Sequence, residues 1–215
     1  MSHLAEHEKA NEQKWNKRSE SFDNKRFDYF RWMQKRVLSL ISFRPGTSFL
    51  DLGCGTGWAV CYVAGLLKGQ GQFTGIDISK GMIERARENA SSLENVHFHI
   101  ASAEQLPIED ETIDNIICTN SFHHYLHPEK ALAEIKRVLK DKGRVYILDF
   151  TFDNFLSNWY DGRHSRKEKE HVRFHSTHEM TELFSMARLA RLYPKILLSK
   201  CPISGRRAVF GARRR

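Results

Sequence analysis

Short apolar runs alternate along this chain with stretches of helical spacing, and that alternation predicts an α/β fold. The run Phe49-Leu50-Asp51-Leu52 breaks into Gly53-Cys54-Gly55-Thr56-Gly57, after which 58–67 reads as a helix. Gly71–Asp77, Val96–Ile100 and 112–120 read as further strands. The last is apolar enough for the buried middle of a parallel sheet. Phe27, Phe30, Met33, Val37, Leu40 and Ile41 mark an amphipathic helix over 26–41 that packs on the sheet. Leu132, Ile135, Val138 and Leu139 mark another over 129–139, with Pro128 suited to its first turn. A fifth strand closes the run 138–150, and Ser176-Thr177-His178-Glu179 is a capping box that opens one more helix. The segments 192–198 and 207–212 predict an antiparallel closing hairpin, with Pro194 marking a start or bulge in its first arm. The sum is a seven-stranded, mostly parallel, doubly wound sheet with helices on both faces.

The turn after the first strand carries the first chemical signal. Glycines permit unusual backbone angles and let a ligand approach bare backbone. The helix behind them offers unpaired N–H groups and partial positive charge. A dinucleotide fingerprint needs G-x-G-x-x-G, but here the third glycine comes one residue early, at Gly57, and Trp58 stands in its place. A P-loop needs Lys and then Ser or Thr where Trp58-Ala59 stand. Asp51 brings a carboxylate to the turn, which suits a cation better than a pyrophosphate. A second acid, Asp77, ends the second strand, where it can accept both hydroxyls of a ribose; a helix-capping role is the alternative.

The pattern Asp-x-Gly-x-Gly-x-Gly over Asp51 to Gly57 resembles the first motif of class I S-adenosylmethionine-dependent methyltransferases. Three further stretches resemble the small methyltransferases of ubiquinone and menaquinone biosynthesis. Asp77-Ile78-Ser79-Lys80-Gly81-Met82 matches Asp-x-Ser-x-x-Met, and Ala103-Glu104-Gln105-Leu106-Pro107 matches Ala-Glu-x-Leu-Pro. The stretch 138–150 matches the family's turn and fifth strand, with Asp141 and Lys142 replacing Pro-Gly. The resemblance implies a Rossmann-like fold, S-adenosylmethionine as cofactor and S-adenosylhomocysteine as product. It implies a cofactor site of Asp51, Gly53, Cys54, Gly55, Gly57, Asp77, Ile78, Met82, Ser102, Ala103, Glu104 and Asn120. Ile78 and Met82 would flank the adenine. Ser102 stands where the family has an aspartate on the adenine amino group, and the Ala103 N–H would serve a ring nitrogen.

Trp15 to Asp23 resembles the family's Trp-Asp-x-x-Ala-x-x-Tyr-Asp segment, departing at Asn16, Ser19 and Phe22, and implies a lid. The pair His123-His124 lies on the loop after the fourth strand, where a His-His pair is common in the family. One of them orients or deprotonates the acceptor, or both are structural. The implied organisation is a single methyltransferase domain over 1–215. It comprises an N-terminal lid and helix (1–45), a cofactor-binding core (46–150), a substrate-region insert (151–175), and a C-terminal helix with closing strands (176–215). Aromatic and basic residues in the insert, among them Trp159, Tyr160 and Arg163, suit an aromatic or amphipathic, anionic small molecule. In-line methyl transfer to such an acceptor is the expectation. An RNA or protein acceptor, or cofactor binding without catalysis, are the alternatives.

Composition narrows the setting. The 215 residues suit one domain with a sizeable core. No apolar run approaches the ~18 residues of a membrane span, and the polar N-terminus predicts no signal peptide. Cys54, Cys61, Cys118 and Cys201 form no Cys-x-x-Cys pair, so they read as reduced thiols of a cytoplasmic protein. His171, His175 and His178 have helical spacing, yet no partnering cysteine or series of acids; a solvated helix is expected, and no metal. The formal charge is +8, and no acid follows Glu182 while nine basic residues do. The tail reads as a solvated basic face with a fraying end. Nucleic acid, an anionic substrate or an acidic membrane surface could each exploit it.

Overall fold

The computed structural model describes residues 3–19, 28–151, 173–191, 196–201 and 205–214. The lid segment beyond Ser19, most of the predicted insert and Pro194 lie outside these residues. Five strands run parallel: β1 (Thr47–Leu52), β2 (Gly71–Asp77), β3 (Val96–Ile100), β4 (Ile113–Thr119) and β5 (Leu139–Thr151). Three more follow: β6 (Leu189–Arg191), β7 (Ile196–Cys201) and β8 (Gly205–Arg214), with β8 antiparallel to β5. The order is β3-β2-β1-β4-β5-β8-β6, and β7 also pairs with β8. Because β5 occupies one edge of β8, β6 and β7 share the other, so the sheet is seven strands wide. The predicted antiparallel closing hairpin appears as β7 against β8, and β6 is a strand that the sequence does not predict. The predicted turn in β5 appears as an irregularity in its pairing with β4, where Lys142 takes φ 60°.

The helices are α1 (His3–Ser19), α2 (Asp28–Leu38), α3 (Trp58–Leu66), α4 (Lys80–Asn89), α5 (Pro128–Val138) and α6 (Thr177–Met186). Successive strand side chains point to opposite faces, and β1 shows the consequence. Leu50 and Leu52 join one core with Ile116, Leu132 and Ile135 of α5, and Phe184 of α6. Phe49 joins the other with Phe73, Met33 of α2, Val63 of α3 and Ile83 of α4. Helices therefore cover both faces. The Ser176 hydroxyl accepts from the Glu179 N–H, and the Glu179 carboxylate accepts from the Ser176 N–H, so the capping box forms.

Polar pins fix the strands' register. The Asp114 carboxylate accepts from the Ser48 N–H at 2.8 Å, the Ser48 hydroxyl at 2.7 Å and the Lys140 ammonium at 2.9 Å. Burial pushes this carboxyl up, but the bonds from Ser48 and Lys140 outweigh it and hold it below the usual range. The C-terminal basic stretch is no fraying end, as β8 pairs on both edges. Arg214 donates to the Leu139 carbonyl and pairs with Glu111. His175 is buried against Phe122 and precedes α6, which corrects the expected solvated histidine helix there. His178 is exposed on α6, and His171 lies outside the described residues. Among the described residues, no helix is long and apolar enough to cross a membrane and no group of three or more His, Cys, Asp or Glu could hold a metal ion.

Candidate functional site

The strand order reverses beside β1, whose neighbours are β2 and β4, and a crevice at the carboxyl ends of the strands follows from that topology. The glycine turn sits there. The Gly53 and Cys54 N–H groups both donate to the Ile76 carbonyl, at 2.8 and 3.0 Å, which folds the turn back onto β2. Gly53, at φ 70°, lies so close to the β4 loop that a Cβ would fall 2.1 Å from Ser121 Oγ. Gly57, at φ 79°, is the N-cap of α3, and a Cβ there would meet the Phe98 ring at 2.6 Å.

Beyond the turn lies a cavity of about 190 Å³. Eleven residues expected from the sequence line it: Gly53, Cys54, Gly55, Asp77, Ile78, Met82, Ser102, Ala103, Glu104, Asn120 and His124. Asp51, Gly57 and His123 do not. Asp51 is fully buried behind the turn and Gly57 serves helix packing. Asp77 accepts from the Gly55 N–H and the Ser79 N–H, both at 2.9 Å, so it joins the turn to the start of α4. The Ser79 hydroxyl then accepts from the Met82 N–H as the N-cap of α4.

The electrostatics favour a cation-bearing, donor-rich ligand. Neither Asp51 oxygen has a partner among the described residues, and the Asn120 and Asn11 amide oxygens are likewise buried acceptors without donors. Burial, and then the charge of Asp77, push the Asp51 carboxyl well above its ordinary range. Burial also raises Asp77, against the opposing bonds from Ser79, Gly55 and Ile78. Buried acceptors left unpaired are costly, so the pocket is primed to receive donors.

The two histidines part company. His123 turns to Asp149, with Nδ1 2.8 Å from Oδ1, while its backbone N–H donates to Oδ2 at 2.9 Å. Phe174 packs against its ring at 4.9 Å between centroids. His124 faces the cavity instead, 4.0 Å from the His123 ring and edge-on to Trp15 at 5.8 Å. Of the two candidates, His124 lines the cavity and His123 does not.

Several wall residues escaped the sequence reading. Asn11 of α1 and Phe30, Arg31 and Gln34 of α2 line the cavity, beside Trp15, which the lid resemblance already names. Gln34 also donates to Thr119 Oγ1 at 3.0 Å, tying α2 to the end of β4. The apolar spacing of α2 marks its core face, Met33 and Val37, and is silent on the face beside it. In the chain just beyond the lining residues Ser102, Ala103 and Glu104, Arg137 donates to the Leu106 and Ile108 carbonyls at 3.1 and 2.8 Å, and Glu134 accepts from the Leu106 N–H at 2.8 Å. Arg137→Ala is expected to release this segment. Hydrogen exchange should show the Leu106 amide losing protection while β1 and β4 keep theirs; unchanged protection at Leu106 would refute the role.

Comparisons with known proteins agree with this geometry. A family model described as a methyltransferase domain matches residues 43–196. An uncharacterized methyltransferase of Bacillus subtilis, YcgJ, is 32% identical over 145 residues, 66% of this chain and 56% of its own. The demethylmenaquinone methyltransferase of Staphylococcus aureus is 35% identical over 124 residues, 57% of this chain and 51% of its own. The chain thus spans about half the length of these curated relatives. Geranyl diphosphate C-methyltransferase from Streptomyces coelicolor, solved with geranyl diphosphate and S-adenosyl-L-homocysteine, superposes with a TM-score of 0.73. That match covers 86% of this chain and 79% of the other at 16% identity, a likeness of fold.

Proposed function

Since the chain belongs to the methyltransferase-domain family, we propose that it takes the methyl group of S-adenosylmethionine and delivers it in line to a small-molecule acceptor, releasing S-adenosylhomocysteine. The observation that carries this reading is the pair of acids around the glycine turn. Asp51 is a buried acid without a partner among the described residues, and Asp77 opens onto the cavity. The residues present fit the cofactor. Asp77 accepts backbone N–H groups, among them Gly55 on one oxygen and Ser79 on the other, and its two oxygens keep lone pairs for a ribose diol. The Asn120 amide oxygen, on the cavity wall, answers an ammonium, and Asp51 behind the turn adds an acid close to it. Ile78, Met82 and Ala103 supply an apolar slot for adenine beside Ser102.

S-adenosylmethionine brings a methyl group already activated on a sulfonium, so the chain's task is alignment and exclusion of water. Asp77 and the turn hold the donor end. Trp15 and Phe30 shield the cavity. His124, the histidine that faces the cavity, takes the acceptor's proton where the acceptor has one to lose, and the Asp149–His123 pair keeps the loop that presents it in place. Small acceptors suit a cavity of this size. The names of the Staphylococcus and Streptomyces proteins point to small molecules as well. Nucleic acid is not favoured, because Arg214 of the basic stretch is engaged within the sheet. The division into lid, cofactor core, substrate insert and closing strands belongs to the same proposal. So does a cytoplasmic setting, where the free thiols of Cys54, Cys61 and Cys118 would stay reduced.

Calorimetric titration with S-adenosylmethionine, S-adenosylhomocysteine and NAD tests this directly. The first two are expected to bind and NAD is not. Asp77→Ala should weaken both adenosyl ligands about a hundredfold, through the loss of two hydrogen bonds to a charged group. Binding of NAD alone, or of no adenosyl ligand, overturns the proposal.

A further inference from the structure

Helix α1 reaches the site through a residue outside the cofactor motifs. The Asn16 side-chain oxygen accepts from the Ser79 hydroxyl at 2.7 Å and from the Gly81 N–H at 2.8 Å. The Ser79 N–H donates to Asp77 Oδ1, and Asp77 Oδ2 accepts from the Gly55 N–H. One unbroken series of bonds therefore runs from α1, across the first turn of α4, to the acid at the end of β2 and on into the glycine turn.

The first turn of a helix leaves N–H groups without intrahelical partners. In α4, Ser79 satisfies that of Met82 and Asn16 satisfies that of Gly81. Asn16 thus completes from a distant helix a cap that local sequence only half provides. The polar sequence of α1 offers little apolar surface for docking, so two directed bonds weigh heavily in where it sits. Its placement matters to the cavity. Asn11 and Trp15, four residues apart and so on one face, form part of the wall. Asn11 presents a buried amide oxygen without a donor among the described residues, and Trp15 stands edge-on to His124.

We infer that Asn16 is a positioning residue that docks α1 onto the start of α4 and so makes Asn11 and Trp15 part of the binding wall. The inference rests on the reading of the cavity as an adenosyl-cofactor site. It also accounts for the departure at this position from the Trp-Asp pattern. The two bonds need an acceptor oxygen, which asparagine keeps, and no charge.

The test compares the wild-type protein with Asn16→Ala and Asn16→Asp by calorimetry with S-adenosylhomocysteine and by hydrogen exchange. Asn16→Ala is expected to bind about tenfold more weakly and to lose amide protection over 3–19 while the sheet strands keep theirs. Asn16→Asp, which retains the acceptor oxygen, should restore both. Wild-type affinity in Asn16→Ala, loss of protection throughout its sheet, or no recovery in Asn16→Asp overturns the inference. If the wild-type protein takes no S-adenosylhomocysteine, the proposed function fails. Exchange of α1 in the ligand-free proteins then decides the docking by itself.

Discussion

Asp51→Asn is expected to raise the thermal stability of the ligand-free protein and to weaken S-adenosylmethionine and S-adenosylhomocysteine about a hundredfold. Both effects share one cause. Asp51 is fully buried, and its oxygens have no donor among the described residues. Burial and the neighbouring Asp77 hold its carboxyl well above the ordinary 3.8. Below that ordinary value Asp51 is protonated in both the folded and the unfolded chain and favours neither. As pH climbs from there toward the raised folded value, the unfolded chain ionises first and the folded state is progressively penalised. This contribution to ligand-free stability is thus intact in acid and lost with rising pH. Asparagine cannot ionise, so the gap between mutant and wild-type melting temperatures should open as the pH rises above about 4. Comparing the two proteins cancels carboxyls such as Asp114, whose value is depressed and whose contribution runs the opposite way. Thermal melts across that range, paired with calorimetry, check the expectation. A mutant that melts below wild type at neutral pH, or binds both ligands as tightly, would remove Asp51 from its assigned role.

Gly53→Ala should cost about 3 kcal/mol of stability. Two strains add at this position. The residue sits at φ 70°, a conformation that a Cβ disfavours. A new Cβ would also lie 2.1 Å from Ser121 Oγ and 2.5 Å from Ser121 Cβ. Ser121→Gly removes both offending atoms, so the double variant should recover the steric part and leave the conformational part. Urea unfolding of the four proteins in this cycle reads the coupling. Additive losses would show that the turn and the β4 loop do not touch as described. Ligand binding should follow the same order, because the close approach of turn and loop is what shapes the cavity beside Asn120.

The parts of the site legible in the sequence are those whose function depends on backbone shape. Left-handed glycines at Gly53, Gly55 and Gly57 and an acid at a strand end each state a local geometry in residue type alone. The strands followed for the same reason, since alternation and apolar runs record which faces are covered. Other features depend on partners far along the chain. Whether His123 or His124 faces the cavity is set by Asp149, a carboxylate at the end of β5 that takes the first ring and leaves the second to the pocket. No local pattern separates two adjacent histidines.

What the sequence by itself determined is the strand-and-helix order, the glycine turn and the acid that closes β2. Each follows from periodicity or from the conformational limits of single residues, which act over a few positions. Only the tertiary structure decided the rest. It built the basic C-terminal stretch into β8, set Gln34 on the end of β4, buried Asp51 behind the glycine turn and brought Asn16 to the start of α4. Hydrogen bonds and buried charge are settled by which groups meet in space, and chain folding alone makes those meetings.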